Sequence, residues 1–431
     1  MNTNLLDDAM HGNMVGYRRS QGFELFGTPI FIEGEIIVDL FTRIRRSPFQ
    51  EEAKHVIEAG LYPYFLPLEE TEGTEVTIEG RRLLMLGSNN YLGLTTHPKV
   101  QQASIEATER YGTSCTGSRF MNGTLALHRL LEERLADFLH KEAALVFSTG
   151  YQANLGTIAA LFCHDDITIT DKEDHASIVD GCLLAHASMR RFPHNDVEAL
   201  EQALAGCPAD AGKLVIVDGV YSMAGDIAPL PQIVPLCHRF GAILMVDDAH
   251  SIGVLGDHGR GTANYFGLDG EVDLIMGTFS KSFASLGGFI AGPRDVLFYI
   301  QHFARPFIFS ASASPGNTAA ALAALDVMLE EPERIVRLRE VADRFRTGLK
   351  ELGYDTGGST TPVVPIYLHD RDRTLMTWKA LYERGVYTNP VIPPGVPPNQ
   401  SLLRTSCMAT HTFEQIDRAL AIFAEVRQLN L

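Results

Sequence analysis

Short, almost uniformly apolar runs rich in β-branched residues recur from about residue 97 to residue 305, with longer helical patterns between them. Seven of these runs are expected as strands, at 143–147, 166–170, 189–192, 213–217, 242–246, 274–278 and 288–291. Several are continuous rather than alternating in polarity, as a strand reads when both its faces are covered. Segments 124–140, 195–204 and 230–240 have helical spacing. Strand–helix–strand repetition leads to an α/β fold with a mostly parallel sheet and helices on both sides. A ligand of such a sheet lies beyond the carboxyl ends of the strands. Polar residues gather at five of those ends: Ser148 to Gly150, Asp171 to His175, Asp218 to Ser222, Asp247 to His250, and Thr278 to Lys281. Packing alone does not account for that pattern.

Past Arg305-Pro306 the rhythm changes. Helical stretches at 315–329 and 332–352 lead to short strands near 363–367 and 401–404 and a last helix at 412–428. The expected organisation is an N-terminal arm (1–70), a large domain (71–305) and a smaller C-terminal α/β domain (306–431). Within the arm, 36–60 has helical spacing with Arg43, Arg45 and Arg46 on one side. Packing on a partner subunit is the expectation for it, and its amphipathic character leaves room for a peripheral membrane contact. The chain carries 53 Asp and Glu against 36 Lys and Arg, a formal net charge of −17, which speaks against nucleic acid as a partner. Its six cysteines (Cys115, Cys163, Cys182, Cys207, Cys237, Cys407) contain no Cys-x-x-Cys pair, which argues for a reducing compartment and against a metal site. The acidic start, Met1-Asn-Thr-Asn-Leu-Leu-Asp-Asp8, does not read as a signal peptide, so a cytoplasmic location is expected.

The chemistry concentrates in Met276-Gly-Thr-Phe-Ser-Lys-Ser-Phe-Ala-Ser-Leu-Gly-Gly-Phe289. It sets Lys281 on a turn past a buried strand, with Thr278 and Ser280 beside it. A lysine so placed suits a Schiff base with pyridoxal 5'-phosphate (PLP), the hydroxyls reaching the phosphate. Alone, Lys281 would read as a solvated loop lysine. The other strand ends supply the rest of such a pocket. Asp247 can face a pyridine nitrogen and His250 the ring oxygen, while Asp248 reads as a helix cap. His175 can stack on an aromatic cofactor, or be an ordinary hydrogen-bonded histidine. Gly150 opens a helix whose first amides suit a phosphate, although a simple cap by Ser148 or Thr149 would look the same. Arg404 sits in an apolar strand and needs an anion, either an amino-acid carboxylate or a structural ion pair. Asn90 either helps bind that carboxylate or forms a turn.

Ser88-Asn-Asn-Tyr-Leu-Gly-Leu94, Gly117-Ser-Arg119 with Asn122-Gly-Thr124, Phe147-Ser-Thr-Gly-Tyr-Gln-Ala-Asn154, Asp174-His-Ala-Ser177, Gly219-Val-Tyr-Ser-Met-Ala-Gly-Asp226, Asp247-Asp-Ala-His-Ser-Ile-Gly253 and Gly277-Thr-Phe-Ser-Lys281 resemble, in this order, the α-oxoamine synthase family. The resemblance runs from about residue 60 to 430. It implies a fold-type-I PLP-dependent transferase, aspartate aminotransferase-like, with a seven-stranded sheet in its large domain. It also implies the joining of an amino acid to an acyl-CoA with loss of carbon dioxide. The stretches 192–199, 226–230, 305–311 and 394–412 most resemble the branch that uses serine and palmitoyl-CoA to make 3-oxosphinganine for sphingolipids. Other branches make 2-amino-3-ketobutyrate, 8-amino-7-oxononanoate or 5-aminolevulinate.

Carried over by resemblance, Lys281 holds the cofactor and moves the Cα proton, His175 stacks on the ring, and Asp247 and His250 hold its nitrogen and oxygen. Gly150, Tyr151, Ser222, Thr278 and Ser280 serve the cofactor, and Arg404 takes the amino-acid carboxylate, with Asn90 near it. Ser310 and Ala311 resemble a stretch that reaches the neighbouring subunit's phosphate, which implies a homodimer. Asp248 stands where the family usually has glutamate, and Ser282 to Leu286 match no single activity. An aminotransferase would share the fold and the lysine, and a non-catalytic PLP-binding subunit or regulator would lack reason to keep Lys281, Asp247 and His250 together.

Overall fold

The computed structural model describes residues 39–162, 165–429 and 431; the first 38 residues of the expected arm and Cys163 lie outside the described residues. In chain order the strands are β1 (Glu70–Glu72), β2 (Glu75–Ile78), β3 (Arg81–Met85), β4 (Ala143–Phe147), β5 (Ile167–Asp171), β6 (Ser188–Phe192), β7 (Lys213–Asp218), β8 (Ile243–Asp247), β9 (Leu274–Thr278), β10 (Gly288–Gly292), β11 (Val363–His369), β12 (Val386–Tyr387), β13 (Asn389–Val391) and β14 (Ser401–Ser406). Seven of them form the central sheet in the order β4-β10-β9-β8-β7-β5-β6. All its pairs are parallel except those of β10, which runs antiparallel to both β4 and β9. Apart from the more exposed Lys213 and Ile243, every residue of the inner strands β5, β7, β8, β9 and β10 is buried. That is why these strands are apolar throughout instead of alternating.

Two smaller sheets lie beside this one. β11, β14 and β13 form an antiparallel sheet that carries Arg404. β1, β2 and β3 form an antiparallel meander, and β3 continues it by pairing in parallel with β12. The strands at 70–85 thus share a sheet with a C-terminal strand, across the expected division of the chain at residue 305. Helix Pro315–Glu330 likewise packs along helix Pro98–Tyr111. The small alanines on its buried face, Ala320, Ala321 and Ala324 among them, allow that close approach.

Among the described residues the arm contains two helices, Leu40–Arg45 and Pro48–Glu58, neither with a buried residue. Asp39 caps the first by accepting from the N–H groups of Phe41 and Thr42. Glu52 on the second pairs with Arg371 at 2.7 Å. Among the described residues no helix is long and apolar enough to cross a membrane.

Candidate active site

The parallel strands all end on one side of the sheet, and their last residues form the floor of the site. β7 and β8 lie side by side with Asp218 paired to Asp247, so two carboxylates end adjacent strands. Asp247 is buried; its Oδ2 accepts from Asn154 Nδ2 at 2.7 Å and its Oδ1 from the Ala249 N–H at 3.0 Å. Asn154 Nδ2 also donates to Ser177 Oγ (2.9 Å), which lies 2.7 Å from His175 Nδ1. One chain of hydrogen bonds therefore joins Asp247 to His175. Burial pushes the His175 pKa down, Asp247 opposes this and the Lys281 charge adds to it, so the ring is neutral at pH 7. A neutral imidazole presents a flat face to an aromatic ligand.

Three residues past Asp247, His250 Nδ1 lies 2.6 Å from the Tyr91 hydroxyl. Burial, then the charges of Lys281 and Arg404, hold His250 well below its usual value. Arg404 is buried; its Nε donates to the Ser222 carbonyl (2.8 Å) and its Nη2 to Tyr91 Oη (3.4 Å). Among the described residues it forms no ion pair with a carboxylate, so the alternative of a structural salt bridge has no partner here. A buried guanidinium with unused donors suits an incoming carboxylate. Asn90 directly precedes Tyr91, but its amide is engaged in a turn, accepting from the Leu94 N–H (3.0 Å) and donating to Thr95 Oγ1 (2.8 Å).

Lys281 follows β9 on the loop to β10. The Phe279 N–H donates to the Gly287 carbonyl (2.9 Å) and the Ser285 N–H to the Phe279 carbonyl (2.8 Å), so the loop is closed on itself. Burial disfavours the ammonium form and lowers the Lys281 pKa to about 8, with Asp247 and Asp218 opposing and Arg404 assisting. Burial raises Asp218 well above the ordinary carboxylate value, and Asp247 raises it further. Asp248 faces away: its oxygens take the Thr262 hydroxyl (2.6 Å) and N–H (3.0 Å), the capping part expected of it.

The phosphate end is built from backbone. Thr149 accepts from the Gln152 N–H (3.1 Å), which leaves the first helical amides, those of Gly150 and Tyr151, as donors for an anion. Thr278 Oγ1 and Ser280 Oγ lie 3.0 Å apart beside them. A Cβ on Gly150 would come 2.8 Å from Thr278 Oγ1, and one on Gly288 would come 2.5 Å from Gly150 Cα. Both positions therefore need glycine for close approach. Ser310 Oγ accepts from Gln152 Nε2 (3.0 Å), and the Ala311 carbonyl accepts from Ser148 Oγ. Ser310 and Ala311 thus stand at the anion turn of their own chain. The Tyr151 ring meets His175 edge-on at 6.4 Å, and its hydroxyl donates to Asp180.

Gly288→Ala is expected to cost about 1–3 kcal/mol, because the obstructing atoms are backbone and do not rotate away. It should also loosen retention of a phosphate-bearing cofactor at Gly150. Denaturation midpoints and cofactor content after dialysis check both.

These residues suit PLP on their own chemistry. They offer a softened lysine amine, a carboxylate joined through Asn154 and Ser177 to an imidazole, and an amide-and-hydroxyl cradle at a helix start. The Asn154 Oδ1 and Gln152 Oε1 atoms, on the helix that opens at Gly150, are also buried without a protein partner. Reasoning from sequence did not single out Asn154, Ser177 or Tyr91. The signal for Asn154 was its spacing, one helical turn after Gly150 and on the same face.

The chain matches the family of class I and II aminotransferases over residues 81–423. A serine palmitoyltransferase of Sphingobacterium spiritivorum is 47% identical over 381 residues, which cover 88% of this chain and 95% of that protein. An 8-amino-7-oxononanoate synthase of Symbiobacterium thermophilum is 45% identical over 383 residues, covering 88% and 98% respectively. Among solved structures, a high-resolution structure of serine palmitoyltransferase (SPT) with PLP has a TM-score of 0.88 at 37% identity, covering 91% of this chain and 99% of that one.

Proposed function

We infer the activity from one premise: the chain belongs to the class I and II aminotransferase family, in its α-oxoamine synthase branch. It is a PLP-dependent acyltransferase. Its reaction condenses L-serine with palmitoyl-CoA and yields 3-oxosphinganine, CoA and carbon dioxide, the first step of sphingolipid biosynthesis. The observation that carries the amino-acid half is Arg404, buried, without a carboxylate partner among the described residues, and linked through Tyr91 to His250. The 47% identity to a serine palmitoyltransferase supports serine and the long acyl chain.

PLP, when bound, supplies the electron sink that stabilises negative charge at the substrate Cα. The chain's own residues do the rest. Asn154 and the Ala249 amide fix the Asp247 carboxylate, which would hold the ring nitrogen of PLP, and His175 would pack on the ring. Arg404 fixes the substrate carboxylate by its planar fork. Lys281, neutral above about pH 8, removes the Cα proton, which frees the carbon to attack the thioester. A C–C bond forms, CoA leaves as thiolate, and the carboxylate held by Arg404 departs as carbon dioxide. Lys281 then returns a proton to Cα.

Burial of the Lys281 amine has a pH signature. Cofactor-free protein should capture added PLP at a rate that rises with pH and levels off above about 8. A lysine with the ordinary value of 10.5 would keep accelerating well beyond that. Stopped-flow absorbance over the range checks it.

We take the working enzyme to be a cytoplasmic homodimer. Phe120, Met121, Phe303 and Phe309 expose apolar surface next to Ser310 and Ala311, which suits an interface that closes over the anion turn. The deciding experiment is CoA-thiol release by PLP-loaded protein, offered palmitoyl-CoA and shorter acyl-CoAs with serine, glycine and alanine. Release with serine and the long chain is the expected result. Release only with alanine and a shorter donor would favour the second reading, an 8-amino-7-oxononanoate synthase-like activity, which the 45% identity keeps close. Amino-group exchange with a keto acid and no CoA release would point to an aminotransferase.

A further inference from the structure

The turn after β6 builds a charged clamp. His194 Nδ1 lies 3.1 Å from Asp171 Oδ1, and its Nε2 lies 2.8 Å from Asp226 Oδ2. Asn195 grips the same two carboxylates, its N–H donating to Asp171 Oδ2 (2.7 Å) and its Nδ2 to Asp226 Oδ2 (3.0 Å). It does so from a left-handed backbone (φ 52°), which asparagine tolerates better than most residues. The Glu173 N–H donates to Asp171 Oδ1 (2.8 Å), and the Tyr221 ring meets the imidazole edge-on at 4.4 Å. Both ring nitrogens face carboxylates, so only the doubly protonated ring satisfies both. Burial works against that charge, but the two carboxylates outweigh it and hold the pKa up at about 10.

The two carboxylates belong to different parts of the site. Asp171 ends β5 and begins the turn that delivers His175, and Asp174 in that turn accepts from the N–H groups of Asp171 (2.8 Å) and Asp218 (3.0 Å). Asp226 lies on the loop closed by the Val220–Ile227 bridge, and its carbonyl accepts from the Tyr221 N–H at 3.0 Å. That loop carries Ser222, whose carbonyl holds Arg404. We propose that His194 is a positioning residue for amino-acid capture: it fixes the loop bearing His175 against the loop that braces Arg404. This rests on the reading of Arg404 as the carboxylate site. His194 acts through the carboxylates of Asp171 and Asp226, not as a catalytic group.

The test uses the PLP-loaded full chain with His194→Ala and His194→Gln. Titrating serine against the cofactor absorbance gives its Kd, and steady-state assays give KM for serine and for palmitoyl-CoA. His194→Ala should raise the serine Kd and KM about tenfold or more, the scale of one lost charge-assisted contact pair. The palmitoyl-CoA KM should stay within about twofold, because the clamp braces only the amino-acid side. His194→Gln, able to reach one carboxylate, should fall between. Wild-type serine affinity in both variants would overturn the proposal. So would an equal loss for serine and acyl-CoA, which marks general damage. Should His194→Ala fail to fold, His194→Gln decides by the same two readouts. If serine and palmitoyl-CoA release no CoA from the wild type, the functional reading falls. The absorbance titration, run with whichever of serine, glycine or alanine the wild type binds, still decides the clamp.

Discussion

Lys281→Ala should fold, keep its oligomeric state and lose turnover by about 10³-fold or more. A positioned acid–base group contributes about 10²–10⁴-fold by itself, and here the same amine also tethers the cofactor. The fold has little reason to suffer. Lys281 sits on a loop closed by its own backbone hydrogen bonds, and the loop's apolar anchors, Phe279, Phe283 and Phe289, pack on one another without it. The electrostatic consequence falls on Asp218, whose raised pKa is moderated by the Lys281 charge. CoA release and a thermal melt, measured together, check the prediction. A variant retaining a tenth of the wild-type rate would remove Lys281 from the mechanism.

The largest stability effect is expected from Glu132→Gln. Glu132 and Arg119 form a buried ion pair at 2.8 Å, their side chains 5% and 4% exposed. β4 is an edge strand of the central sheet, and this pair covers its open side: Glu132 Oε1 accepts from the Val146 N–H (2.9 Å) and Arg119 Nη1 donates to the Val146 carbonyl (3.1 Å). Val146 is two residues from Ser148 at the anion turn, and Arg119 also lies over the Phe307 ring at 5.4 Å. Neutralising Glu132 leaves Arg119 charged and buried, which costs about 3–5 kcal/mol. Adding Arg119→Met to Glu132→Gln should recover part of the loss, since no uncompensated charge then remains. Urea midpoints of the single and double variants measure both terms. A single variant within about 1 kcal/mol of wild type would contradict the account.

β9 is legible residue for residue at 274–278, where every residue is buried, and so is β4 at 143–147, an apolar run whose last three residues are buried. β5, β7 and β8 end one residue later than expected, at Asp171, Asp218 and Asp247, polar residues that a hydrophobicity reading excludes but the ladders retain; β5 and β8 also begin one residue later. The reversed direction of β10 is invisible in sequence, since a buried strand reads alike in both directions. β1 and β2 escape notice for a different reason: both belong to a peripheral sheet, and the Glu-rich β1 is wholly exposed. Residues at strand ends, among them Lys281, Asp247, His250 and His175, can be anticipated because position along a parallel strand predicts the ligand side. Tyr91 and His194 cannot, because their meaning lies in what they touch across 159 and 32 residues of chain. Asn90 shows the converse, its motif pointing to a ligand while its amide closes a turn.

The hairpin of β9 and β10 gives the site an order of assembly. Two antiparallel strands joined through residues 279–287 are close in sequence, and such hairpins form in about 1–10 μs. The groups that face Lys281 come instead with β5, β7 and β8, whose parallel pairing bridges long intervening segments and pays loop-closure entropy first. On refolding, the lysine's loop is therefore an early, local product and its chemical environment a late, non-local one. The amine should acquire its softened character only when the parallel strands have zipped alongside. Recovery of the cofactor absorbance band should accordingly follow the slowest phase in the return of sheet signal by circular dichroism, reporting closure of the whole sheet rather than of the loop that bears the lysine.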